Sequence, residues 1–138
     1  MKIVVLKFGG TSVGSVERIK NIVKIVIRYI KKRYKVIVVS SAMSGETNKL
    51  AKLTKEISNN FTPSEYDSIV ATGEQVSCSL IAGRLNHQGY PARSWLGWQI
   101  PIFTTGNHSN SRIVKINKLK ILKFLKKGGT PIIAGFQG

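Results

Sequence analysis

Lys7 follows the apolar run Ile3–Leu6 and is separated by one residue, Phe8, from the pair Gly9-Gly10, with Thr11 and Ser12 next. A lysine at the end of an apolar strand can reach phosphoryl oxygens and stabilise charge that develops on them. Glycines behind it leave backbone N–H groups unscreened, so an anion can approach the main chain closely. This is a way to build a phosphate-holding turn, but it is neither of the common motifs. The chain has no G-x-x-x-x-G-K-[ST] and no G-x-G-x-x-G. Taken alone, a tight turn bearing a surface lysine accounts for the pattern equally well. The other chemistry-bearing residues are sparse. The single cysteine, Cys78, cannot form an internal disulfide and reads as a packed thiol inside a helix. His87 and His108 have no partners at ligand spacing, so no metal site is expected.

The elements around the turn follow from hydrophobic patterning. "KIVVLKF" is a short β-branched run and reads as a buried strand. Beyond it Val16, Ile19, Ile22, Val23, Val26 and Ile30 fall at helical spacing, with Ser15 placed to cap and Glu17 in the first turn. "YKVIVVSSA" gives a second buried strand that ends near Ser41, so the opening is a strand–helix–strand unit with parallel strands. A polar loop leads to a helix over about Thr47–Ser58. Ser64 and Asp67 form a candidate capping box for the next helical stretch, which Gly73 interrupts and Gly89 ends. "YPARSWL" reads as a strand, and "GWQIPIFTTGNHSNSRI" as irregular with short strand-like pieces. Asn117 caps a last amphipathic helix through Lys127, and "TPIIAGF" is a further buried strand expected at the centre of a sheet. The order predicts an α/β layered domain with a mostly parallel sheet. Lys7 then lies at the carboxyl end of the first strand, the edge where open α/β sheets bind ligands.

Composition bounds the function classes. The 138 residues suffice for one domain with its own core, and no apolar run approaches the roughly 18 residues needed to span a bilayer. The amino terminus has too short an apolar stretch for a secretory signal, so the cytoplasm is the expected location. With 22 lysines and arginines against 6 acids, the formal charge is +16. Such an excess attracts polyanions, and a small basic nucleic-acid-binding protein is one reading. Many of the lysines, however, lie on two helix-like stretches, Arg28–Lys35 and Lys115–Lys127, interleaved with isoleucine and asparagine and without an aromatic platform. A solvated lysine-rich face fits that arrangement better and argues against nucleic acid as a partner.

Three segments read together go further. "LKFGGTSVGS", "VVSSAMSGETNKL" and "ATGEQVSCSLIAGRL" resemble, in that order, the amino-terminal motifs of aspartokinases. "SWLGWQIPIFTTGNHSNSRI" and "TPIIAGFQG" look like the family's next two segments, so the resemblance covers essentially the whole chain. It implies an amino acid kinase fold: a three-layer α/β/α sandwich with a mostly parallel central sheet. It also implies transfer of the γ-phosphoryl group of ATP, carried with Mg2+, to the β-carboxylate of L-aspartate, the first step towards lysine, threonine and methionine. By resemblance, Lys7 contacts the transferring phosphoryl group, and Phe8, Gly9, Gly10 and Thr11 complete a phosphate-facing turn. Ser41 and Thr47 face aspartate, and Glu74 pairs with its α-ammonium group. Each has a plainer reading: Ser41 as a strand-end hydroxyl, Thr47 as a helix cap, Glu74 as a solvated helix residue.

The resemblance also sets an expectation about extent. Family kinase domains continue with a glycine-rich "GRGGSD"-like segment, an active-site arginine and aspartate, and the nucleotide-base pocket; regulatory ACT domains usually follow. Residues 1–138 then correspond to the amino-terminal portion of one catalytic domain, incomplete at the carboxyl end. The chain is a fragment, one half of a split enzyme, or a decayed gene product without activity. Its expected partners beyond ATP and L-aspartate are a second copy or a complementing carboxyl-terminal half. Alone it is expected to show no kinase activity.

Overall fold

The computed structural model describes residues 2–137. The first strand–helix–strand unit forms as its patterning predicts: β1 (Ile3–Phe8), α1 (Val16–Lys31) and β2 (Lys35–Ser40). Ser15 Oγ accepts a hydrogen bond from the Arg18 N–H at 3.2 Å, which satisfies one of the orphan donors of the first turn of α1. Glu17 at that end and Arg28 and Lys31 at the other both suit the helix dipole. Three helices follow, α2 (Glu46–Ile57), α3 (Pro63–Val70) and α4 (Thr72–His87). The Ser64–Asp67 capping box does not form. Thr62 is the N-cap and Pro63 takes the first helical position, where its missing N–H costs nothing, so α3 starts ahead of Ser64. The helices part at Ala71, and Gly73 serves packing instead of a kink. Gly89 ends α4 in the left-handed region at φ 81°.

β3 (Ala92–Trp95) and β6 (Thr130–Ala134) complete a four-stranded sheet in the order β1-β2-β6-β3, parallel throughout. The last strand is central, as expected: Ile132 lies opposite both Val38 and Ser94. Between β3 and β6 the stretch read as irregular with short strand-like pieces resolves into an antiparallel hairpin of β4 (Ile102–Thr104) and β5 (Ile113–Ile116), apart from the main sheet, and the expected last helix follows as α5 (Leu119–Lys126), with Lys118 and not Asn117 at its N-cap.

The layers are three. α1 and α4 cover one face over a core that includes Val23, Val26, Val36, Val38, Ile81, Leu85 and Ile132. α5 covers part of the other, where Ile121 packs with Trp95 and Ile100 against Ile37 and Ile133. Two apolar expectations change. Val16, assigned to the helix's buried stripe, is 61% exposed in the first turn. β1 is an edge strand and not a buried one: Val4, Leu6 and Phe8 join the core, while Ile3 and Val5 are exposed. β1 pairs with β2 alone and so ends the sheet, and α5 packs over β6 and β2 without covering the Ile3 and Val5 face of β1. Among the described residues no helix is long and apolar enough to cross a membrane.

Candidate functional site

The parallel strands end on one side of the molecule, and the residues singled out by sequence gather there. The Ser41 N–H donates to the Phe8 carbonyl at 3.0 Å, carrying the β1–β2 pairing one step beyond the strands. The Gly9 carbonyl then accepts from the N–H groups of Ser12 and Val13, at 3.0 and 3.2 Å, and curls the chain towards α1. The Arg18 guanidinium braces this turn through the Thr11 carbonyl. Lys7 alternates with Ile3 and Val5, so all three project from the face that α5 leaves open. Among the described residues Lys7 pairs with no carboxylate.

Neither usual structural reason for glycine applies at Gly9. Its φ lies outside the left-handed region, and a Cβ there would meet nothing within 4 Å. The segment is a tight turn bearing an exposed lysine, yet that turn does not itself require glycine at position 9. Gly73 is the opposite case. A Cβ at that position would lie 2.8 Å from the Ala42 Cβ, closer than real contacts allow. Glycine lets the first turn of α4 press against the loop that follows β2.

That close approach buries Glu74, which is 5% exposed. The solvated-helix reading does not hold. Burial pushes the Glu74 carboxyl above its ordinary range, opposed by the N–H groups of Ala42 and of Glu74 itself, which favour the carboxylate. Its Oε2 is buried without any hydrogen-bond partner. Gly135, just after β6, donates its N–H to the Ser40 carbonyl at 2.8 Å and lies beside Glu74; a Cβ there would stand 3.8 Å from the Glu74 Cγ.

Ser77 organises the junction and escaped the sequence reading. It is fully buried, and its Oγ lies 2.6 Å from the Ser41 carbonyl and 3.1 Å from the Glu74 carbonyl, an acceptor for its single proton on either side. Ser40 Oγ donates to it at 3.2 Å. A hydroxyl three residues after Glu74, on a stripe with Gly73 and Ile81, was the available signal. Ser41 is half-buried with its carbonyl engaged. Thr47 is exposed in the first turn of α2, behind Gly45 at φ 83°, so it is not the cap. Cys78 is fully buried, and burial together with the Glu74 charge pushes its thiol up to about 12, as befits a packed thiol. His108 does find a partner: its Nδ1 is 3.4 Å from Asp67 Oδ2. Ser41 and Glu74 are thus brought together through Ala42 and Ser77. The Gly9-Gly10 turn borders the same loop, where a Cβ at Gly10 would touch the Ala42 carbonyl at 3.5 Å.

A cation and an unobstructed main-chain turn on one side, and a buried acid short of a donor on the other, sit at the carboxyl edge of an α/β/α sandwich. A model of the amino acid kinase family matches residues 2–138, and the chain belongs to that family. Within it, the chain is 47% identical over 138 residues to the aspartokinase of Geobacillus stearothermophilus, a match that takes in all of this chain and 34% of that protein. The crystal structure of aspartate kinase from Synechocystis superposes with a TM-score of 0.84 at 35% identity, over 96% of this chain and 22% of that one. E. coli aspartokinase III in complex with aspartate and ADP gives 0.80 at 19% identity, over 96% and 40%, and supports the fold alone. The chain spans about a third of the length of the curated relatives it matches.

Proposed function

We propose that this chain supplies the phosphoryl-facing and aspartate-facing parts of an aspartate kinase site. The observation that carries the reading is the buried Glu74 carboxyl with its unpartnered Oε2, set at the strand ends beside an exposed lysine–glycine turn. An α-ammonium group provides the missing donor and draws Glu74 back to its charged form. The hydroxyls of Ser41 and Thr47 donate to the substrate carboxylates. Lys7 and the Gly9 and Gly10 N–H groups hold the phosphoryl oxygens and stabilise charge in the transition state. The β-carboxylate oxygen attacks the γ-phosphorus, the bond to the bridging oxygen breaks, and ADP leaves. Such a transfer depends on positioning and charge, so no covalent protein nucleophile is required. The divalent ion enters with the nucleotide.

The test is a graft in which residues 1–138 replace the matching first third of the Geobacillus stearothermophilus relative. With ATP, Mg2+ and L-aspartate, hydroxylamine should trap the acyl phosphate as a hydroxamate, and succinate should not replace aspartate. A graft that melts cooperatively and forms no hydroxamate would count against the proposal.

A further inference from the structure

Asp67 lies outside the site just described, and its carboxylate is already committed. Oδ2 accepts the Ser109 N–H at 2.7 Å, and Oδ1 accepts the Ser109 hydroxyl at 3.1 Å. His108 Nδ1 adds a contact of 3.4 Å to Oδ2. These bonds tie α3 to the connection between β4 and β5, across 42 residues of sequence. The connection shapes itself: Thr105 and Arg112 exchange main-chain and side-chain bonds at 3.0 Å, and Ser111 Oγ donates to the Thr105 carbonyl at 2.8 Å. Its shape is therefore local, but its position is not. Among the described residues, every hydrogen bond from residues 105–111 to anything beyond the hairpin ends on Asp67. Ser109 is held in the left-handed region at φ 63°, a conformation a serine keeps at a cost when surrounding bonds determine it.

The connection stands over a cleft of about 630 Å³ lined by Asp67, Gln75, Trp98, Thr105, Ser111 and Phe136 among others. Gln75 is the neighbour of Glu74, so the cleft borders the first turn of α4. On this wall both oxygens of the Asp67 carboxylate are turned to Ser109. We infer that Asp67 is a positioning residue: through Ser109 it straps the 105–111 connection beside the cleft that borders α4. That the cleft admits aspartate rests on the proposed function; the strap itself does not.

The experiment therefore needs no substrate. Amide hydrogen exchange is followed by NMR in the 138-residue chain and in its Asp67→Ala and Asp67→Asn variants. The Ser109 amide should exchange about tenfold faster or more in Asp67→Ala, with the asparagine variant in between because one acceptor oxygen remains. Amides of β2 and β6 should keep their protection in both variants, which separates loss of the strap from loss of the fold. Tryptic cleavage after Arg112 should quicken in the same order. A Ser109 amide that exchanges equally fast in all three chains overturns the inference. Failure of aspartate to bind would count against the kinase reading and leave the exchange result standing.

Discussion

The two sides of the strand-end site are built in opposite ways. On the α4 side a glycine is packed to contact, an acid is buried, and Ser77 bonds the helix to the end of β2. On the β1 side a glycine faces open space, a lysine is exposed, and Ile3 and Val5 beside it are uncovered. The geometry of the first side is set by core packing over α1 and α4. The second has its backbone turn but lacks a wall. On the proposed reading the acid-bearing half is shaped by packing within these residues, whereas the lysine-bearing half is open among the described residues. The contrast gives the two glycines, the lysine and the glutamate different consequences on substitution.

The largest expected effect is on the β1 side and is purely catalytic. In the graft, Lys7→Ala should lower the rate of hydroxamate formation roughly a hundredfold or more, about 2.7–4 kcal/mol, while the melting curve stays put. Near-normal turnover would remove Lys7 from the reaction. The next effect is on the α4 side and is purely structural. Gly73→Val forces a side chain into the Ala42 Cβ, and urea unfolding of the 138-residue chain should show a loss of about 1–3 kcal/mol. An unchanged midpoint would mean that α4 can draw back without cost, and the two sides would then differ less than the geometry says.

Glu74→Gln should act in a pH-dependent way. Because burial raises its carboxyl in the folded chain, the wild type loses stability as pH rises from the ordinary glutamate range through that raised value. Glutamine has no charge to bury, so the variant should gain on the wild type across that window, with the smallest gap in acid. A gap that is flat with pH would mean the carboxyl ionises as in water. Smallest of all is Gly9→Ala, which should leave stability within about 0.5 kcal/mol because the added methyl meets nothing. On the proposed reading, the same substitution should impair the graft's turnover, since the methyl would enter the space that the phosphoryl group takes.

Much of this was legible before the structure. The Lys7 turn, the Ser15 cap, the parallel unit around α1 and the central place of "TPIIAGF" follow from periodicity, capping chemistry and the needs of a buried strand. What escaped depended on distant parts of the chain. The run Ile3–Leu6 is as apolar as any central strand, but β1 pairs with β2 alone and α5 does not reach its outer face, and neither fact is written in the run itself. The β4–β5 hairpin was hidden because β5 is exposed along its length and shows no alternation. Asp67 was read as a local cap, yet its partner lies 42 residues away. Pro63 was the local cue against that cap. Burial of Glu74 came from Gly73, a residue whose importance lies in what it lets approach.

The account rests on Glu74 as a buried acid that waits for an ammonium group, and its ionisation can be watched directly. The carboxyl carbon of Glu74 is followed by NMR against pH in the 138-residue chain, alone, with L-aspartate, and with succinate, which has the same two carboxylates and no ammonium. Its midpoint should lie above the ordinary glutamate value in the free chain, fall when L-aspartate is added, and stay raised with succinate. An ordinary midpoint in the free chain, or the same response to both compounds, would contradict the claim.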